Sequence, residues 1–160
     1  MEFQLKTGTI ESTLDDKGRV VIPAPFRENY TGKLVITQGK EECVWVMREA
    51  TYQRFLSRFK EKCKEEGLSF EEIEAFKYQH ESTAFSVEID PKTGRIPIPA
   101  FLRSYANLTK DCLVVSVDNH LEIWNSDYNK KFMEEVRLIN KNALRKLDAK
   151  VNLFSDEGEE

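Results

Sequence analysis

Two short segments of the chain place a lysine, a glycine and an arginine close together. They are Lys17-Gly18-Arg19 and Lys92-Thr93-Gly94-Arg95. Glycine accepts the positive φ of a tight turn, so each segment predicts a β-turn that ends in an arginine. An arginine held in this way can donate two parallel hydrogen bonds to guanine O6 and N7, or bind a phosphate. The motif alone fits contact with double-stranded DNA and a solvated hairpin arginine equally well.

Other charged side chains near these turns are candidates for the same surface. Asp15 can accept hydrogen bonds from the turn amides and orient Arg19, whereas Asp15 and Asp16 are otherwise ordinary turn residues. Neither has a histidine or a nucleophile beside it, so we expect no enzymatic activity. Arg27 and Arg103 each follow a proline by one helical turn, where a phosphate contact and a structural ion pair both fit the pattern. The predicted DNA-binding residues are therefore Asp15, Lys17, Arg19, Arg27, Lys92, Arg95 and Arg103.

The two arginine turns belong to an internal repeat. Residues 14–27, LDDKGRVVIPAPFR, align with residues 89–103, IDPKTGRIPIPAFLR. Downstream of both segments, Trp45 and Trp124 fall in register. Self-similarity over this length is the signature of a duplicated structural unit.

Each repeat predicts the same succession: a strand, a polar turn, a second strand ended by a proline, one helical turn, and a hairpin. Four short strands leave exposed edges, so one unit alone would be marginally stable and two units can close on each other. The helical turns are expected to stack Phe26 near Tyr30 and Phe101 near Tyr105. Further helices are predicted from Thr51 to Glu66, from a capping box at 69–72, and from Ser126 to Lys150.

The bulk composition excludes several classes of protein. The net charge of -4 includes four carboxylates within the last six residues, and without them the chain carries 24 cations and 24 carboxylates. DNA binding must then depend on a few well-placed cations instead of a general positive field. We expect no membrane span and no secretory signal. The three cysteines form no C-x-x-C pair, so we also expect no disulfide framework and no metal site. No cofactor is expected. The expected location is the cytoplasm.

The segment DKGRVVIP followed by Phe26 and Arg27 resembles the swapped-hairpin signature of AbrB-type regulators. Two such units in one chain, with LEIW at the end of the second, resemble the MraZ family over residues 6–48 and 84–135. The resemblance implies an α+β fold, mainly β, in which two swapped-hairpin units form a pseudo-dimeric barrel and helices follow each unit. The expected segments are a first unit at 6–48, a helical connector at 49–83, a second unit at 84–125, a C-terminal helix at 126–151 and an acidic disordered tail at 152–160.

The same resemblance implies a function. It is that of a cytoplasmic, nucleoid-associated transcriptional regulator that assembles as a homo-oligomeric ring. Such a regulator binds short direct repeats in the promoter of a cell-division and cell-wall gene cluster, without a membrane or a small-molecule substrate. In the family an Asp-x-x-x-Arg element carries the DNA contacts, and Asp15 to Arg19 match it. The duplication of the arginine turn together with this resemblance favours DNA contact over a solvated hairpin arginine.

The second repeat departs from this element, because four residues separate Asp90 from Arg95. Either the longer turn bulges and restores the position of Arg95, or the second repeat binds DNA less well. A second hypothesis for the whole chain is an antitoxin-like protein-binding module whose long C-terminal helix covers a partner. An enzyme on a related two-unit scaffold ranks last, since it would need a perturbed acid pair or a metal cluster.

Overall fold

A computed structural model describes residues 6–148 of the chain. The first repeat contains four strands and one short helix: β1 (Gly8–Thr13), β2 (Arg19–Val21), α1 (Ala24–Arg27), β3 (Leu34–Gln38) and β4 (Val44–Arg48). Two helices follow, α2 (Glu49–Glu65) and α3 (Phe70–Ser82). The second repeat has the same succession: β5 (Phe85–Val87), β6 (Arg95–Pro97), α4 (Ala100–Tyr105), β7 (Asp111–Val117) and β8 (His120–Asn125). The last described element is α5 (Ser126–Asp148).

Local sequence signals set several of these boundaries. Pro23 and Pro99 occupy the positions just before α1 and α4, because proline ends a strand and its fixed φ suits a helix start. The predicted capping box at the start of α3 is confirmed. The Ser69 hydroxyl accepts a hydrogen bond from the Glu72 amide at 3.1 Å, and the Ser69 amide donates to the Glu72 carboxylate at 3.0 Å.

The two repeats exchange strands. In the six-stranded antiparallel sheet, whose order is β1-β7-β8-β4-β3-β5, the first strand of each repeat pairs with the third strand of the other. At the centre β4 pairs with β8, and a separate ribbon joins β2 to β6, with Val20 opposite Ile96. Neither repeat therefore completes its own hydrogen bonding, and residues up to Ser126 form one compact unit. This interleaving covers strand edges that a single repeat would expose.

The core lies between the ribbon and the sheet. Side chains alternate along a strand, so the ribbon buries one row of residues and turns the other outward. The buried row is Val20, Ile22, Ile96 and Ile98, none more than 1% exposed. It packs with sheet residues such as Ile36, Val46 and Leu121 in one apolar cluster. Because Arg19 and Arg95 belong to the alternate row, burial of these aliphatic side chains fixes both arginines on the outer face.

The residues that α4 buries are not its aromatic ones. Phe101 and Tyr105 do not occupy the positions that correspond to Phe26 and Tyr30. Leu102 and Ala106 are fully buried there, whereas Phe101 is 41% exposed and lies beside Phe85, with ring centroids 5.2 Å apart. When Arg27 is aligned with Arg103, Phe26 corresponds to Leu102 and Tyr30 to Ala106. A correspondence between the aromatic residues of the two repeats is therefore off by one position.

A single carboxylate joins the two tryptophans that the repeat places in register. Glu122, on β8, accepts hydrogen bonds from the indole nitrogens of Trp45 at 3.2 Å and Trp124 at 3.0 Å, and lies 3.0 Å from His120. Burial of the carboxyl tends to raise its pKa, but the hydrogen bonds from His120, Trp124 and Trp45 outweigh this and lower the pKa of Glu122. Glu122 therefore stays ionised and ties β4 to β8.

Replacement of Glu122 by glutamine is expected to destabilise the protein by about 1.5–3 kcal/mol at pH 7, the usual range for hydrogen bonds to a charged group. The pKa of Glu122 is lower in the folded protein than in the unfolded chain. The additional free energy of unfolding of the wild type is therefore fully present above the unfolded-state pKa and is lost as the pH falls through the folded-state pKa. Urea unfolding followed by tryptophan fluorescence at pH 7 and at pH 3 measures the difference in free energy of unfolding between the wild type and the variant. A difference between the two proteins that stays constant with pH would contradict this role.

The α+β class, mainly β with helices after each unit, is confirmed. The closed barrel is not confirmed, because in the described residues the six-stranded sheet ends at β1 and β5 and the β2–β6 ribbon is separate. Of the described residues, Asp127 to Asp148 form a second compact unit, in which Leu138, Ile139 and Leu147 of α5 are 63%, 69% and 45% exposed. Between residues 6 and 148 no helix is long and apolar enough to cross a membrane. The predicted acidic tail lies outside the described residues.

Candidate DNA interface

The first arginine turn is organised by Asp15. Its backbone carbonyl accepts a hydrogen bond from the Gly18 amide at 3.0 Å, and Gly18 has a φ of 75°. Its Oδ1 accepts hydrogen bonds from the amides of Lys17 and Arg19, both at 2.9 Å. The turn amides are thus satisfied by a carboxylate within the turn, which leaves Lys17 exposed at its tip.

The second turn absorbs its additional residue without moving the strand that follows. The Gly94 amide donates to the Asp90 carbonyl at 2.7 Å, and Gly94 has a φ of 71°. The bond that closes each turn is nearly the same, since Asp15 N donates to Arg19 O at 2.8 Å and Asp90 N donates to Arg95 O at 2.9 Å. The longer turn therefore bulges, as the first of the two sequence alternatives expects, and Arg95 starts its strand as Arg19 does.

Asp15 also holds the arginines of both repeats. The Nε of Arg19 donates to Asp15 Oδ2 at 2.9 Å. The Nε of Arg95 lies at ion-pair distance, 3.4 Å from the same oxygen, and is buried without a hydrogen bond to the described part of the chain. The β2–β6 ribbon makes this possible because it places Arg95 opposite Val21, on the face that carries Arg19. Asp90 has no corresponding role, for its carboxylate accepts a hydrogen bond from the Lys92 amide alone among the described residues. One carboxylate thus joins two guanidinium groups from different repeats.

The geometry leaves both guanidinium groups accessible. The side chains of Arg19 and Arg95 are 36% and 33% exposed, and that of Asp15 is 25% exposed. Arg19 pairs through Nε, so within residues 6–148 its two terminal nitrogens have no hydrogen-bond partner. The hydrogen bond from the Arg19 amide lowers the pKa of Asp15, although desolvation opposes it, and the side-chain and amide bonds of Arg19 and Lys17 add to the lowering. Asp15 therefore remains an anionic clamp at neutral pH.

The two turns together carry a small excess of positive charge. Lys17, Arg19, Lys92 and Arg95 supply four cations, and Asp15, Asp16 and Asp90 supply three carboxylates. An excess of one charge is too small for tight binding through phosphate attraction alone. Any recognition by this surface has to come from the placement of the arginines.

Arg27 and Arg103 lie in symmetrical positions behind the turns. Arg27 donates from Nε to the Ile22 carbonyl at 2.6 Å, and its guanidinium lies so close to Gly94 that a Cβ there would overlap it. Arg103 likewise donates to the Ile98 carbonyl at 2.6 Å and packs against Gly18. Each arginine thus supports the turn of the other repeat. These contacts position the turns, and a direct contact of either arginine with DNA stays a prediction.

Sequence reasoning missed the bridge made by Asp15 and the crossed packing of Arg27 and Arg103. The repeat alignment shows which residues are equivalent but not which repeat supplies the partner. The absence of a side chain at both Gly18 and Gly94 was a usable signal, because it allows a close approach as well as a positive φ. No group of three or more histidine, cysteine or acidic side chains among residues 6–148 is placed to hold a metal ion.

Comparison with known proteins agrees with the duplicated architecture. The profile of the family described as "MraZ protein, putative antitoxin-like" matches residues 5–69 and 82–150. The chain belongs to the MraZ family. A relative described as "Transcriptional regulator MraZ", from Saccharopolyspora erythraea, is 39% identical over 129 residues, which are 80% of this chain and 86% of that protein. The sequence-based assignment to MraZ is confirmed, and neither description names an enzyme.

Proposed function

We propose that this MraZ-family chain is a sequence-specific DNA-binding transcriptional regulator. The observation that carries the proposal is the outward-facing pair Arg19 and Arg95, held by one carboxylate on a two-stranded ribbon. A two-stranded β-ribbon is narrow enough to enter the major groove of B-DNA. The two arginines then read neighbouring bases or flanking phosphates, while the exposed Lys17 and Lys92 contact the backbone.

The second part of the proposal is assembly. The charge excess of the two turns is small, so one subunit binds one short site weakly. Several subunits in a ring bind tandem direct repeats together, because each further contact forms at high effective concentration. The exposed apolar residues Leu138 and Ile139 of α5 support self-association. By resemblance, the target is the promoter of a cell-division and cell-wall gene cluster, and the location is the nucleoid within the cytoplasm.

Selection of bound fragments from genomic DNA at a stated salt concentration tests the proposal. The expected result is enrichment of fragments with closely spaced direct repeats, including the DNA upstream of the protein's own gene. Light scattering on the same sample is expected to give a mass of several subunits. Uniform recovery of fragments, without sequence preference, would reject the regulator proposal.

A second candidate is a protein-binding module of the antitoxin kind. The exposed apolar residues of α5 favour it as well, since a partner can cover them. Copurification of one stoichiometric protein, combined with uniform recovery of DNA fragments, would support this candidate over the regulator.

A further inference from the structure

A cavity of about 340 Å³ lies between α2, β4 and the turn that joins β7 to β8. None of the seven predicted DNA-binding residues lines it, so it is separate from the candidate DNA interface. Its volume falls within the range of small-molecule sites, which are usually largely formed before the ligand binds.

The inner walls of the cavity are apolar and rigid. Trp45 and Met47 of β4 and Phe55 and Phe59 of α2 form them. The Trp45 ring is fixed from several sides, because its nitrogen donates to Glu122 and its edge meets Phe55 with centroids 5.5 Å apart. A wall that is already ordered costs little conformational entropy when an apolar group packs against it.

The rim of the cavity is cationic. Arg54, Arg58 and Lys62 recur every four residues along α2, which places them on one helix face. Lys62 pairs with Glu65 at 3.1 Å, whereas Arg54 and Arg58 are exposed and make no ion pair with any residue between 6 and 148. The carboxylate that the cavity lining contains is that of Asp118, in the opposite turn. The α2 side therefore carries two arginines that are not neutralised.

A polar group in the wall also lacks a partner. Thr51 lines the cavity and is 2% exposed, and its hydroxyl makes no hydrogen bond to the described part of the chain. A buried hydroxyl without a partner costs free energy, so this part of the wall is less stable than a fully hydrogen-bonded one.

We propose that this cavity binds a small amphipathic anion, namely an alkyl or single-ring carboxylate. The apolar body packs on Trp45, Phe55 and Phe59, and the carboxylate lies at the rim and pairs with Arg54 and Arg58. A ligand with several charges would bury one of them against the aromatic wall at high cost. An uncharged ligand of the same size would leave both arginines without a partner.

Calorimetric titration of the full-length protein with octanoate and with 1-octanol tests the proposal, because the two ligands share a chain and differ in charge. We expect octanoate to bind saturably with one site per chain and 1-octanol to bind at least about tenfold more weakly. Arg54→Gln and Arg58→Gln should each weaken octanoate binding about three- to tenfold. Lys60→Gln removes an exposed charge from α2 outside the lining and should leave the affinity unchanged.

A spectroscopic measurement locates the ligand. The chain has two tryptophans, so Trp124→Phe leaves Trp45 as the reporter in the cavity wall. Octanoate is expected to change the Trp45 emission with the same midpoint as the calorimetric curve. If Trp124→Phe does not fold, the calorimetric comparison of the arginine variants decides alone.

Three results would overturn the proposal. The first is binding that does not saturate, or that is equal for octanoate and 1-octanol. The second is equal octanoate affinity in Arg58→Gln and Lys60→Gln. The third is dissociation of the protein into smaller species by octanoate in light scattering, which would mean that a second copy of the chain occupies the cavity.

Discussion

Arg19→Ala is expected to abolish the specific shift of the protein's upstream DNA while the circular dichroism spectrum stays unchanged. A well-formed arginine contact to a base contributes about 1–3 kcal/mol of discrimination, or roughly a five- to 150-fold change in affinity per contact. Several subunits lose that contact at once in a ring, so the losses multiply over the bound repeats. Fluorescence anisotropy at a fixed salt concentration, with the upstream fragment and a shuffled fragment, measures the effect.

Two comparisons make this result specific to Arg19. Lys60→Ala removes the same charge from an exposed site on α2 and should retain the shift. Arg19→Lys keeps the charge but not the planar fork, so it should bind the upstream and shuffled fragments with nearly equal affinity. Retention of a full specific shift by Arg19→Ala would refute the proposed role of this residue.

Gly94→Ala is expected to destabilise the protein by about 2.5–5 kcal/mol. Alanine at a φ of 71° costs about 1–2 kcal/mol. Its Cβ would also displace the guanidinium of Arg27 from the Ile22 carbonyl, a hydrogen bond of a charged donor with a value of about 1.5–3 kcal/mol. Urea unfolding measures the loss, and DNA binding should fall as well because the turn that carries Arg95 is displaced.

Gly32 provides the matched control for this prediction. Its φ is 79°, but a Cβ there would meet nothing within 4 Å, so Gly32→Ala isolates the cost of the backbone conformation. In an Arg27→Ala background, Gly94→Ala should lose the part of its cost that comes from the overlap, leaving about 1–2 kcal/mol. Equal destabilisation by Gly94→Ala and Gly32→Ala would contradict the positioning role of Arg27.

The sequence predicted those parts of the fold that depend on local chemistry and on repetition. Glycine turns, proline strand ends and the Ser69 capping box each follow from a few adjacent residues, and the structure contains them all. The register of Trp45 with Trp124 came from the repeat itself. The repeat did not show which side of α4 is buried: Leu102 is buried and Phe101 is exposed, because burial depends on the side of the helix and an aromatic residue can remain exposed.

The partners of the arginines could not be predicted from the repeat. Asp15 matches Asp90 in the alignment, yet Asp15 binds arginines from both repeats and Asp90 does not. The register of β2 against β6 treats the two repeats alike, because Arg19 lies opposite Pro97 and Arg95 lies opposite Val21. The difference accompanies the additional residue of the second turn, whose effect on the carboxylate the alignment does not encode. The cavity beside α2 was missed because its walls come together only in the folded chain. The helix that carries Phe55 and Phe59 was predicted, but the opposing wall comes from β4 and the β7–β8 turn.

In the proposed function the two repeats form one DNA-reading surface, joined at Asp15. Anisotropy titrations of Arg95→Ala, Arg19→Ala and the double variant on the upstream fragment test it most directly. We expect Arg95→Ala to lose specific binding to within about threefold of Arg19→Ala, and the double variant to lose little more, because residues of one ion-pair network are strongly coupled. Wild-type affinity of Arg95→Ala for the upstream fragment would contradict the claim.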